Sequence, residues 1–389
     1  MCIFFHFLAI IPYFSLAISA RVLYTNEVII RHGLYTCIQE EIKMKKFAAL
    51  LLALCMVFAL AACGSSSTTS APAASEAPAA EPAAEPAAEA AFGPKDGGSK
   101  LTFTTGGEAG TYFAFGGVMS QKVSEVTSTN VTAITSGGSK ANIEALEMGD
   151  AQLGFSQSDV LSYGYTGARL FEETGAVTSI STVAALYMEQ VQIVTLNPEI
   201  KTVADLAGKS VSIGAAGSGV YFNAIDVLGA YGLTEDDIKP TYQSFADSAE
   251  ALQDGQIDAA FIVAGAPTTA VTSLAATKDV YLVSLDDEHI DALIASSPYY
   301  SKNIIPAAAY GTDEDVTTVA VGAVVVAGDD VSDVDVYNFL YGVFENLDNL
   351  AHDKANELSL EFASSVTDVP YHPGAVQYFA DKGITVPGK

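Results

Sequence analysis

Gly107-Glu-Ala-Gly110-Thr-Tyr112-Phe113 and Gly214-Ala-Ala-Gly217-Ser-Gly-Val-Tyr221-Phe222 are two versions of one pattern. Downstream of the first, Ala145-Leu146 precedes Gly149 and leads to Phe155. Downstream of the second, Ala251-Leu252 precedes Gly255 and leads to Phe261. From Gly110 to Ala145 is 35 residues, and from Gly217 to Ala251 is 34. Each copy reads as strand, Gly-rich loop, helix, second helix ending at Gly, strand. Two such units in one chain predict two lobes facing each other across a cleft. Chance likeness between Gly-rich α/β loops is the competing explanation.

The pattern between these anchors alternates. Residues 101–105, 131–135, 152–156, 210–214, 258–263, 281–285 and 318–327 read as strands. Residues 111–126, 139–148 and 218–231 read as helices, the last with Tyr221, Ile225 and Leu228 on one face and Gly232 just past its end. Strands alternating with helices predict an α/β fold with mainly parallel sheets.

Four strand-to-helix junctions share one chemistry: Gly106–Tyr112, Ser136–Ser139, Ser156–Asp159 and Gly214–Gly219. Each offers small residues, hydroxyls and free backbone N–H groups at a helix start. Such a start binds anions, because unpaired N–H groups and the helix dipole point the same way. In open α/β sheets these loops lie where ligands sit. Taken singly, Gly106-Gly107 and Gly137-Gly138 could make tight turns, and Ser139 and Ser218 could be ordinary N-caps. Together, in a repeated frame, they predict a ligand cleft. The Ser218 hydroxyl and the N–H groups of Ser218 to Val220 are expected to hold a carboxylate. Thr111 and the Ser136–Ser139 loop would hold the rest.

Composition narrows the function. The chain carries a net charge of −28, and −30 once residues 1–62 are removed. That field repels nucleic acid and anionic headgroups. All four cysteines (Cys2, Cys37, Cys55, Cys63) lie at or before residue 63, so the folded part has no thiol nucleophile, disulfide or Cys-based metal site. His289, His352 and His372 are not at metal-ligand spacing, and no Gly-x-Ser-x-Gly elbow occurs. Neither metal nor cofactor is expected, and an enzyme is not expected. Arg169 is the only Arg after residue 31, so a bound carboxylate would be met mainly by neutral donors. Lys140 is the nearest exception, with an exposed helical lysine as its plainer reading.

The N-terminal part has its own logic. Met44-Lys-Lys46, an apolar run to Leu60, and then Ala61-Ala62-Cys63-Gly64 have the layout of a secretory signal. The Cys after Leu60-Ala-Ala resembles the lipobox of bacterial lipoproteins, which implies a lipid on Cys63. The expected start is Met44, with residues 1–43 an overrun; a real extra membrane segment is the alternative. Residues 63–99 are rich in Ala, Pro, Glu and Ser, with little apolar surface to bury, and read as a tether.

Gly106-Gly-x-x-Gly-Thr-Tyr112, Ser136-Gly-Gly-Ser139, Gln157-Ser-Asp159, Leu186-Tyr187 and Gly214-x-x-Gly-Ser-Gly219 occur in that order. They are followed by Asp254-Gly-Gln-Ile-Asp-Ala259, Ile305-Pro306 and His372-Pro-Gly374. This series resembles the TAXI family of TRAP-transporter solute-binding proteins over nearly all of residues 100–382. The resemblance implies a two-lobed periplasmic-binding-protein fold of the Venus-flytrap kind, type II-like, with a ligand cleft between lobes. Lobe I would be 100–188 with 310–389, and lobe II 189–309. It implies a monomeric extracytoplasmic receptor for a small carboxylate such as glutamate, glutamine or 2-oxoglutarate, delivered to a TRAP permease. Thr111, Tyr112, Ser136, Gly138, Gln157, Ser158, Tyr187, Gly217, Ser218 and Gly219 are the site residues it implies, and Gly107, Ser139, Val220 and Pro267 are expected beside them. Lys140 and Met188 depart from the family pattern and leave the solute open. A sensory module for a membrane kinase and a secreted hydrolase or transferase are the other readings. Gene neighbourhood and a turnover assay separate them.

Overall fold

The computed structural model describes residues 92–389. The expected start at Met44, the signal segment, Cys63 and most of the tether lie outside the described residues. The last part of the expected tether is packed. Phe92 sits 5.6 Å from the Tyr341 ring and 6.3 Å from the Tyr378 ring. Lys95 N donates to Asn338 at 2.7 Å, and Ser99 N to Asp335 at 2.7 Å. One aromatic residue in a polar stretch is enough where it meets other aromatic rings, and composition averages it away.

The first unit is β1 (Lys100–Thr104), α1 (Thr111–Val126), β2 (Asn130–Ile134), α2 (Ser139–Glu147) and β3 (Leu153–Gln157). Helix α3 (Ser158–Thr166) and the long strand β4 (Ile180–Thr195) follow. The second unit is β5 (Ser210–Ser212), α4 (Val220–Ala230), β6 (Lys239–Thr241), α5 (Phe245–Gln253) and β7 (Ala259–Ala264). Then come α6 (Thr269–Ala275), β8 (Tyr281–Leu282), α7 (Asp287–Ser296) and β9 (Ser301–Ile305). The chain returns through β10 (Val316–Gly328) to α8 (Asp333–Phe344), α9 (Leu360–Ala363) and α10 (Pro373–Asp381).

The repeat is a repeat of structure. In the first unit β1 lies between β2 and β3, parallel to both; in the second, β5 lies between β6 and β7, parallel to both. Gly149 and Gly255, which end the second helix of each copy, both take left-handed backbone (φ 74° and 69°), where a side chain would be strained.

The two units join into one ten-stranded sheet, ordered β2-β1-β3-β10-β4-β7-β5-β6, with β8 on β4 and β9 on β10. The expectation of mainly parallel sheets holds inside each unit and fails between them. Strand β10 runs antiparallel to β3, β4 and β9, and β4 antiparallel to β7 and β8. Two long strands cross from one unit to the other, giving a two-lobed α/β fold. Both are buried almost end to end. A strand covered on both faces reads as a continuous apolar run without period 2; β10 reads in this way over 318–327, while β4, whose run is broken by Glu189-Gln190 and Gln192, does not.

Each lobe has its own core. Phe103, Phe155, Tyr187, Phe339 and Ala323 belong to one, and Val191, Phe261, Val319 and Val321 to another. Strand β10 therefore changes core between Val321 and Ala323. Residues 316–321 pack with the second lobe, beyond the expected seam at 309/310. Helix α4 also differs from expectation. It starts at Val220, and its buried residues are Val220, Phe222, Asn223, Ala224, Val227 and Leu228. Tyr221 and Ile225 are only partly buried. The expected stripe followed the edge of a helix that packs on two sides, since Phe222 also meets Ile143 and Val160 of the first lobe.

Candidate functional site

Four helix starts converge on one cavity of about 90 Å³. From the first lobe come the starts of α1 (Gly106 to Tyr112) and α2 (Ser136–Ser139), with Gln157 at the end of β3. From the second come the starts of α4 (Ala215, Ser218–Val220) and α5 (Gln243–Phe245). Val263 and Ala264 at the end of β7 and Glu189 on β4 complete the wall. The cavity lies at the carboxyl ends of the parallel strands. Ser218 N, expected to hold a carboxylate, instead donates to the Ala215 carbonyl at 3.0 Å, which leaves the N–H groups of Gly219 and Val220 at the α4 start.

Ten expected site residues line it: Gly107, Thr111, Tyr112, Ser136, Gly138, Ser139, Gln157, Ser218, Gly219 and Val220. Four do not. The Ser158 hydroxyl accepts from Gly322 N at 3.1 Å and opens on a separate hollow with Met188 and Tyr299. Gln157 and Ser158 are consecutive in extended-to-helix backbone, so only one can face the cavity. Tyr187 is buried in the first core, 6.0 Å from Phe115, with Lys354 above its ring. The Gly217 carbonyl accepts from Ala141 N at 3.1 Å and ties the loop to α2 instead. Pro267 lines a surface hollow with His352 and Lys354. His372 of the C-terminal motif is structural: its ring accepts from Gly374 N at 3.2 Å and faces the Val331 carbonyl.

Contacts between the lobes hold the walls of the cavity together. A Cβ on Gly219 would lie 1.5 Å from Gln157 Oε1. Gln157 Nε2 donates to Asn223 Oδ1 at 2.8 Å, and Asn223 Nδ2 donates to Asp159 Oδ2 at 3.0 Å. Thr111 Oγ1 donates to the Gly265 carbonyl at 2.8 Å. Behind these, Arg169 grips Asp226 of α4 with two nitrogens, at 3.0 and 2.8 Å. The single Arg is thus a clasp between lobes and does not line the site. Lys140 is likewise spent, on Glu144 one turn away.

Electrostatically the cavity has two poles. Helix starts supply partial positive charge, and the Ser218 hydroxyl is buried with no partner. Gly219 is the N-cap of α4, and no side chain caps that helix. The reading of Ser218 as an N-cap therefore fails. Ser139 is not a cap either: its hydroxyl accepts from Gln157 N at 3.1 Å. The other pole is Glu189, the only charged side chain in the wall. It is 1 % exposed and accepts from the Tyr112 hydroxyl at 2.5 Å. Burial pushes its carboxyl up to about 8. Tyr112 is itself fixed by stacking on Phe155, with ring centroids 4.3 Å apart and planes nearly parallel.

Sequence reading missed Glu189, Gln243–Phe245, Val263 and Ala264. The repeat could have found one group: the offset from Ala145 to Ala251 carries Ser139 onto Phe245.

Residues 103–383 match the NMT1-like family. The chain belongs to that family. Among solved structures, the family member is similar to the alkanesulfonate-binding protein SsuA from Xanthomonas axonopodis pv. citri bound to MOPS. The identity is 15 %, over 73 % of this chain and 90 % of that one, with a TM-score of 0.40. It is similar to a putative L-cystine ABC transporter from Listeria monocytogenes at 14 %, over 68 % and 98 %, TM-score 0.40. It is also similar to the ligand-binding component of an ABC-type import system from Staphylococcus aureus with zinc bound, at 10 %, over 73 % and 92 %, TM-score 0.44.

An uncapped, unpaired hydroxyl makes Ser218 a clean probe. A hydrogen bond to a charged group contributes roughly 1.5–3 kcal/mol. Ser218→Ala is expected to weaken solute binding by about ten- to a hundredfold and to leave the melting temperature unchanged. Calorimetric titration and melting of one sample check both. Unchanged affinity would remove Ser218 from the site.

Proposed function

We propose that this chain is an extracytoplasmic solute-binding receptor. It captures a small acidic metabolite of the glutamate, glutamine or 2-oxoglutarate class between its lobes. The observation that carries the reading is the convergence of four helix starts, two from each lobe, on one cavity. Membership of the NMT1-like family supports it. A ligand touching both lobes stabilises the closed form by the contacts it makes only there. The cavity loops would be the solute-contacting set, and the lobes would divide where β4 and β10 change core. Delivery is to a TRAP-type permease, from a membrane position held by a lipid on Cys63.

Melting of the full chain with amino acids, 2-oxo acids and dicarboxylates tests this reading. A ligand at about 100 times Kd adds roughly 2.7 kcal/mol, a rise on the order of 5–10 °C for a domain of this size. No rise with any of them would refute the solute class. Loss of membrane retention in Cys63→Ser checks the anchor, and retention with normal processing would remove it.

A further inference from the structure

We propose that Glu189 and the Tyr112 hydroxyl form an ammonium subsite, so that the cavity takes an α-amino acid and rejects its 2-oxo and des-amino counterparts. This rests on the reading of the cavity as the solute site.

The geometry carries the inference. Glu189 lies on β4 opposite Val321, where the strand passes from one core to the other. Its carboxylate faces the cavity. Tyr112 donates to Oε2, and among the described residues no other group donates to this carboxylate. The wall contains no Lys, Arg or His. Lys354 is the cation whose field reaches Glu189. It lies behind Tyr187 and spends its ammonium on Glu357 at 2.6 Å. Asp159, also buried, adds repulsion.

A buried carboxylate with one hydrogen bond is costly when ionised, so without a ligand it holds its proton. An ammonium group offers three donors and a full positive charge at that point. The rest of an α-amino acid suits the opposite pole. Its carboxylate meets the N–H groups of the α4 start and the unpaired Ser218 hydroxyl, which is 8 % exposed. A 2-oxo acid or a des-amino acid brings neither the three donors nor the positive charge, so Glu189 keeps its proton and the ion pair is not formed. Ligand binding then carries a signature: near pH 7 Glu189 should release a proton as the ammonium arrives.

The test is calorimetric titration of the full chain with the protein amino acids. Each one that binds is repeated as its 2-oxo and des-amino counterpart. The counterparts should bind at least a hundredfold more weakly. Glu189→Gln should weaken the amino acid at least thirtyfold and narrow that gap. Titration of the wild type at pH 7 in buffers of different ionisation enthalpy should show proton release. Counterparts within threefold of the amino acid, unchanged affinity in Glu189→Gln, proton uptake, or no binding by any amino acid would each overturn the proposal. Gly219→Val separates the two readings. If it abolishes binding while Glu189→Gln does not, the cavity stands and the ammonium subsite falls. If a solute binds and Gly219→Val changes nothing, the cavity is not the site.

Discussion

Gly219→Val is expected to weaken solute binding by at least a hundredfold, about 2.8 kcal/mol, in a chain that still folds. The added Cβ would lie 1.5 Å from Gln157 Oε1, 2.6 Å from its Cδ and 3.0 Å from Val160 Cγ2. Gln157 cannot simply swing aside, because its amide is tied to Asn223 of the same helix start that Gly219 opens. Valine adds two further methyl groups, stiff about χ1. The strain is relieved by moving α4 away from β3, which means separating the lobes. The movement parts Phe222 from Ile143 and Val160 at the seam and leaves the cores around Phe103 and Val191 intact. The melting temperature should therefore fall by a few degrees at most, while small-angle scattering shows a larger radius of gyration than the wild type. Affinity within threefold of wild type would mean that this contact does not govern closure.

The second large effect is on pH dependence. Burial raises Asp159 from 3.8 to about 7 and Glu189 from 4.5 to about 8. A carboxyl with a raised pKa holds its proton more tightly folded than unfolded. Between the two values the folded state binds more protons, so stability falls as pH rises. The contribution is complete below about pH 4 and gone above about pH 8. At 1.4 kcal/mol per pH unit, Asp159 alone accounts for something on the order of 4 kcal/mol, or about 10 °C of melting temperature. Asp205 and Asp286 act in the opposite sense: hydrogen bonds hold them low, so their contribution is lost only in stronger acid. For these carboxyls alone the optimum should fall at about pH 4. Melting from pH 5 to pH 9 should show a steady loss in the wild type and a smaller one in Asp159→Asn, which keeps the shape and removes the charge. A wild-type profile that is flat or rises would show that these carboxyls are not held protonated in the folded chain.

Much of this architecture was legible because helix starts and Gly-rich turns leave local marks. The two copies around Gly110 and Gly217 gave the lobes, and the loops they contain gave ten of the wall residues. What escaped shares a physical cause. Glu189 sits in a strand buried on both faces, where no alternation marks which side chain turns inward. Tyr187, two residues earlier on that strand, was taken for the wall because the motif stops beside it; it lies deeper, in the first core. Ser158 was taken with Gln157 because spacing cannot say which of two neighbours faces a cavity. The clasp of Arg169 on Asp226 joins residues 57 apart in sequence, and nothing local connects them.

The seat of Phe92 against Tyr341 and Tyr378 has a mechanical consequence. Residues 92–99 pack only on the lobe that contains α8 and α10. A pull along that chain is borne by one rigid lobe and exerts no torque across β4 and β10. Under the proposed lipid on Cys63, the mouth of the cleft would open without dragging on that mooring, and the lobe around β5 would be the one to move.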